Sequence, residues 1–243
     1  MDSQGFADCN KQNNDQCSLD SFTPEIPQHQ VTLEAYYIDQ NEVTNARYAE
    51  CVAAGVCAAP VSTTSYTHDP YYSSAEFNNY PVINVSWFDA NTYCEWRGAR
   101  LPTEAEWEKA ARGADGFVYP WGNEFDGNIV NFCDTNCTLD WANKTYDDGY
   151  EDVSPVGNYP DGVSPYGVYD MAGNVWEWTA DWYDVYPGGD PSISADFGQT
   201  YRVLRGGSWT YLGYYVRSAS RLRLDPTLTI IHLLGFRCAR SLP

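Results

Sequence analysis

With 243 residues the chain can bury a substantial core, and one compact domain is the default expectation. Its net charge of −19, from 33 acidic against 14 basic residues, lacks the basic footprint of a nucleic-acid partner and disfavours docking on anionic lipid. No apolar run reaches the length of a membrane-spanning helix, and 19 Gly with 14 Pro predict a fold rich in loops and turns.

Residues 1–28 are polar, rich in Asn, Gln and Asp, and read as an extended arm. The segment after Met1 has neither the basic region nor the apolar core of a signal peptide, so the sequence as given reads as starting at a mature or truncated N-terminus. One domain is expected over residues 29–243. HQVTLEAYYID alternates apolar and polar residues and predicts a strand. In NEVTNARYAECVAAG, Thr44 can cap a helix that ends at Gly55. A second helix lies in VINVSWFDANTYCEWRGA, with Ser86 as its cap and Gly98 as its stop. The third has the clearest start, since Thr103 and Glu106 form a capping box before WEKAARG. From Gly113 to Tyr169 the chain is dense in Gly, Pro, Asn and Asp. Long irregular loops are expected there, fixed by disulfides or bound ions rather than by regular backbone pairing.

The eight cysteines include three close pairs in Asn/Asp/Gly-rich surroundings: Cys9 with Cys17, Cys51 with Cys57, and Cys133 with Cys137. Zinc is the competing reading, but no CxxC pair exists and His29, His68 and His232 are the only histidines. Disulfides are preferred, which implies an extracytoplasmic setting. No Ser/His/Asp or Cys/His arrangement stands out, and Glu104, Glu106 and Glu108 read as structural. Trp176, Trp178 and Trp182 read as core rather than as a platform for sugar stacking.

The stretch after Trp209 contains no Lys, Glu, Gln, Met or Trp, although all nine Trp lie upstream. Those five are the residues that no codon ending in a pyrimidine specifies. Randomising the first two bases of such codons would give this alphabet, whereas a buried Leu/Ile/Tyr-rich strand pair would exclude only the charged members. The segment holds Tyr211, Tyr214 and Tyr215, stiff rings with a hydroxyl of the kind antibody loops use for contact. Leu222, Leu224, Leu228, Leu233 and Leu234 would add an apolar patch, an interaction site if exposed and core if not.

The flanks of that stretch are regular. RVLRGGSW precedes it, RSASR interrupts it and GFRCAR closes it. Upstream stand NVSWFDANTYCEWRGARLPTEAEWEKAARG, YPWGNE, DDGYEDVSPVGNYP and SPYGVYDMAGNVWEWTADWY. In this order the blocks resemble the formylglycine-generating-enzyme, or sulfatase-modifying-factor, family from about His29 to the C-terminus. The resemblance implies an α+β, C-type-lectin-like fold with mixed short sheets, a few helices and long irregular loops. It also implies that Cys94 pairs with Cys238. Its oxidising members carry two cysteines after the GGS-aromatic block that bind copper and attack the substrate cysteine. Here those positions are Tyr211 and a place near Tyr215 or Val216, and neither a phenol nor an isopropyl group replaces a thiolate. The formylglycine reaction, and copper with it, are therefore not expected.

A fixed frame around a restricted alphabet resembles, within this fold, the variable proteins of diversity-generating retroelements. They mutate adenines in a C-terminal segment, here about 203–240. The resemblance implies varied, ligand-binding positions at Thr210, Tyr211, Leu212, Tyr214, Tyr215, Ser220, Leu222, Arg223, Leu224, Asp225, Thr227 and Thr229, with Ile230, Ile231, His232 and Leu233 as further members. Arg205, Trp209, Arg217, Arg221, Phe236 and Arg237 would form the buried frame. Structural calcium is implied at two places. In DMAGNVWEW, Asp170 and Glu177 with the Gly173 and Val175 carbonyls give the mixed, closely spaced oxygens that calcium favours. The second place uses Asn131, the Phe132 carbonyl, Asp148 and the Tyr150 carbonyl. The expected function is non-enzymatic binding of a protein or surface ligand, displayed on a cell or virion. The alternatives are an enzyme of the same superfamily with altered chemistry and a plain accessory or carbohydrate-binding module.

Overall fold

The computed structural model describes residues 9–10 and 19–242. The three expected helices form where their caps stand. Helix α1, Asn45–Ala53, starts at Thr44, whose hydroxyl accepts the Arg47 N–H. Helices α2, Trp87–Trp96, and α3, Glu104–Arg112, each begin with a reciprocal capping box, Ser86 with Asp89 and Thr103 with Glu106. Such boxes satisfy N–H groups that a helix start leaves open, so these boundaries are legible in sequence.

Strands β2 (Trp176–Trp182), β3 (Arg202–Arg205), β4 (Arg221–Leu224) and β5 (Leu234–Gly235) form one sheet in the order β4-β3-β2-β5. Its β2–β5 pair is parallel and the other pairs are antiparallel. A separate antiparallel pair joins β1 (Tyr36–Ile38) to β6 (Ala239–Ser241) and so brings the two ends of the domain together. The expected strand over HQVTLEAYYID shrinks to these three residues, because β6 offers only three partners. The Cys94–Cys238 disulfide fastens α2 to the residue before β6.

The main core fills the space between α1, α2 and the sheet, with Tyr48, Tyr93, Trp176, Trp178, Leu234 and Phe236 almost fully buried. Trp176 and Trp178 are thus core residues, as expected, and Trp182 stacks on the Arg202 guanidinium at 3.5 Å. A smaller cluster under α3 holds Trp107, Ala110, Ala111, Val168 and Met171. The region 113–169 is irregular apart from a short 3-10 turn at Pro160–Gly162. Side chains pin it: the Asp148 carboxylate accepts the Phe132 and Tyr150 N–H groups at 2.9 and 2.8 Å. Gly173, at φ +72, packs so closely on this loop that a Cβ there would lie 2.1 Å from the Asn131 carbonyl oxygen.

The arm is not extended where it is described. Leu19–Glu25 is a 3-10 turn, Phe22 is buried beneath the Arg217 guanidinium, and Glu25 pairs with Arg217 at 2.6 Å. An aromatic ring and a carboxylate in reach of a frame arginine bind what composition alone reads as a loose tail. The disulfides Cys51–Cys57 and Cys133–Cys137 form as expected. Cys9 is disulfide-bonded, and Cys17 lies outside the described residues.

Candidate ligand-binding site

The C-terminal segment hangs from a rigid set of buried arginines. Arg205, at the end of β3, is fully buried, pairs with Glu108 and donates to the carbonyls of Ser218, Ala219 and Ser220. Arg217 donates to the Tyr214 carbonyl at 2.7 Å and grips Glu25 with both terminal nitrogens. Arg221 makes two bonds of 2.9 Å to Glu104. Trp209, Phe236 and Arg237 are buried too, so all six expected frame residues lie inside. Charged groups taken out of water need such complete pairing, so removing one partner would leave its mate buried and uncompensated.

Between these anchors the chain turns outward. Gly207, at φ +80, leaves 2.7 Å between a hypothetical Cβ and the Val216 side chain, a closeness that only glycine permits. The loop then runs through Thr210 to the 3-10 turn Gly213–Val216. Tyr211, Tyr214 and Tyr215 form a contiguous aromatic group, with ring centroids 5.1 Å apart for Tyr211–Tyr215 and 4.4 Å for Tyr214–Tyr215. Together with Thr210, Leu212 and Leu233 they line a cavity of about 550 Å³.

Its opposite wall comes from outside the restricted segment. Leu139 and Trp141 sit on the 131–150 loop, just after the Cys133–Cys137 disulfide. Two hydrogen bonds of 2.9 Å lock this loop to the segment, from the Cys133 N–H to the Tyr211 carbonyl and from the Trp141 indole to the Thr210 carbonyl. Trp141 is 55% exposed, the sequence signal that would have marked it being an isolated Trp among polar loop residues. No lining residue carries a charge. Burial raises the phenol of Tyr211, and burial with the Tyr215 hydrogen bond raises that of Tyr214, so both remain neutral donors and acceptors. The cavity offers shape, ring faces and hydroxyls but neither a nucleophile nor an acid/base pair.

The other expected positions divide. Leu222, Leu224, Ile231 and Leu233 are half-buried beside Tyr211 against the edge of the main core. Arg223 is half-exposed and paired with Asp196, and Asp225 caps Thr227. Thr227, Leu228 and Ile230 are exposed, while Thr229 and His232 are half-buried. Three positions depart from an open surface. Ser220 and Leu212 are buried, at 3% and 8% exposure, and Leu234 is fully buried in β5. Ser220 lies beside the Arg205-bound carbonyls, and Leu234 pairs with Trp176 in the sheet.

At the Asp170/Glu177 place, Glu177 is fully buried and both its oxygens are engaged, by Arg237 at 2.7 and 2.8 Å and by the Trp107 indole at 2.9 Å. Glu42, which sequence reasoning missed, joins them. Burial first, then repulsion from Asp170 and Glu177, push its carboxyl well up, and its Oε1 has no partner. Burial likewise pushes Asp170 up to about 6. At the second place the buried Asn131 Oδ1 is unpartnered, and burial pushes Asp148 up to about 7. Each place thus contains a buried oxygen whose lone pairs a cation would satisfy. Among the described residues no three His, Cys, Asp or Glu side chains converge as a metal site on their own, so backbone carbonyls would have to complete either shell.

Residues 5–242 match the family Sulfatase-modifying factor enzyme 1-like domain. The chain is 44% identical over 171 residues to the Inactive C-alpha-formylglycine-generating enzyme 2 of Bos taurus, covering 66% of this chain and 50% of that protein. Matches named formylglycine-generating enzyme and serine/threonine-protein kinase also occur, and the chain spans from about a third to two thirds of these curated relatives. Among solved structures, PvdO from Pseudomonas aeruginosa superposes with a TM-score of 0.68 at 30% identity, over 93% of this chain and 88% of that one. Treponema denticola variable protein 1 superposes with a TM-score of 0.63 at 23% identity, over 88% and 87% of the two chains, a likeness of fold.

Proposed function

Since the chain belongs to the sulfatase-modifying-factor family, yet carries Tyr211 and Tyr215 or Val216 where its oxidising members carry cysteines, we propose that it is a non-enzymatic ligand-binding protein. Its C-terminal segment forms the binding surface, and diversification of that segment sets the ligand. One observation carries the reading: six of the eight residues lining the cavity come from the restricted-alphabet stretch, while Arg217 and Arg221 between them are buried and paired. Every described cysteine is in a disulfide, which leaves no thiolate among the described residues for copper or for attack on a substrate. The inactive relative supports a family frame used without oxidation.

The proposal includes an extracytoplasmic setting, supported by the disulfides, and display on a cell or virion surface. No helix among the described residues is long and apolar enough to cross a membrane. It also includes structural calcium in the 131–150 and 170–177 loops, supported by the unpartnered Asn131 and Glu42 oxygens.

The deciding experiment is to sequence the gene segment encoding residues 203–240 across many isolates, together with its surroundings. Diversification predicts substitutions confined to positions where the template carries adenine, in codons such as those of Tyr211, Tyr214 and Leu224, with that near-copy template and a reverse-transcriptase gene nearby. An invariant segment with neither removes diversification. Conversion of a sulfatase-type cysteine peptide to formylglycine, with or without copper, would instead establish an enzyme.

A further inference from the structure

We propose that the cavity receives a basic side chain, lysine or arginine, from a protein partner; this rests on the ligand-binding reading above. The lining is of two kinds. Four ring systems, Trp141, Tyr211, Tyr214 and Tyr215, present faces and hydroxyls, and aliphatic side chains such as Leu212 and Leu233 fill the remainder. A lysine or arginine side chain has the same two parts, an apolar stem and a cationic head. The stem removes apolar surface from water against the leucines, while the head is attracted by the negative ring faces and accepts phenol oxygens as hydrogen-bond partners.

An anion fits poorly. No lining residue is basic, so a carboxylate or phosphate would be desolvated with only neutral phenol donors to compensate it. The nearby arginines supply no free charge, because Arg217 and Arg221 of the frame are neutralised by Glu25 and Glu104, and Arg223 by Asp196. Lys144, on the same loop as Trp141, donates to the carbonyls of Thr135 and Cys137. A neutral apolar anchor would satisfy the leucines alone. The net charge of −19 decides between the two, since it draws cations to the surface from several ångströms away. The chain uses this chemistry elsewhere, holding the Arg202 guanidinium 3.8 Å from the Trp87 ring and 3.5 Å from Trp182.

The test is direct binding of the full chain to four acetylated, amidated Gly/Ser pentapeptides, each with lysine, arginine, norleucine or glutamate at its centre. The lysine and arginine peptides are expected to bind at least about tenfold more tightly than norleucine, with association slowing as salt is raised. Trp141→Leu keeps apolar area but removes one ring face, and should weaken the basic peptides more than the norleucine peptide. Its melting temperature, measured alongside, checks that the fold is intact. Equal or tighter norleucine binding overturns the proposal and leaves the ligand-binding reading standing, with an apolar anchor in its place. Tightest binding of the glutamate peptide overturns it as well. If none of the four binds, the proposal fails, and the ligand-binding reading is then judged by the sequencing experiment alone.

Discussion

Arg237 and Glu177 form a fully buried ion pair, with Nη2 to Oε1 at 2.7 Å and Nε to Oε2 at 2.8 Å. The pair joins the block near the C-terminus to the Trp-rich strand β2, and Arg237 also donates to the carbonyls of Asp39, Gln40 and Tyr169. Replacing Arg237 by Ala strands Glu177 in the core beside Glu42 and Asp170. The expected cost is about 3–5 kcal/mol, read as a shift of the urea midpoint at constant slope.

Frame and display positions should separate by stability. Leu234→Ala removes a fully buried side chain and is expected to cost about 2–5 kcal/mol. Tyr214→Ser and Leu224→Ser, at half-exposed positions, are expected to cost about 1 kcal/mol each. Equal losses at all three would return the segment to ordinary core packing.

Metal removal offers a third check. An ion held only by the folded loops stabilises by linkage, so chelation should lower the melting temperature and added calcium should restore it. Asp148→Ala should abolish the part of that response due to the 131–150 loops, and Asp170→Ala the part due to the 170–177 loops. A melting curve unmoved by chelator removes calcium from the account.

Two of the disulfides differ sharply in reach. Cys94–Cys238 closes a separation of 144 residues, and its removal by paired Ala substitutions should cost about 4–5 kcal/mol. Cys133–Cys137 closes a separation of 4 and should cost about 2 kcal/mol, yet its loss loosens the backbone at Cys133, whose N–H holds the Tyr211 carbonyl. Ligand affinity should therefore fall more in the second variant than in the first.

Acid stability follows from α3. Burial alone would raise the Glu108 carboxyl, but Arg205 and Arg112 outweigh it and hold the group below its ordinary value. A depressed value contributes stability above the unfolded pKa, which is lost as pH falls through the lowered one. Urea midpoints should therefore decline on acidification below the ordinary glutamate range, and Glu108→Gln should shallow that decline.

Helix starts were legible in the residues because each rests on a short, directional pattern, whereas the Cys94–Cys238 link and the buried frame arginines came with the family resemblance. Thr103 with Glu106 satisfies its own backbone within one turn, and the ordered blocks from residue 84 to 240 carry the family with them. The cavity was only half legible. Its tyrosines stood out by their alphabet, but Leu139 and Trp141 come from a loop about seventy residues away. The Cys133 N–H to Tyr211 and Trp141 to Thr210 bonds tie that loop to the segment, and no local periodicity encodes a contact between two irregular segments. The same limit hid Glu42 beside Asp170 and Glu177, and the docking of Glu25 on Arg217. It also let Leu212 and Ser220 pass as surface and left Leu234 undecided between surface and core. Sequence determined the frame, because caps and disulfides act through near neighbours or single bonds; tertiary packing decided which side of that frame each side chain faces.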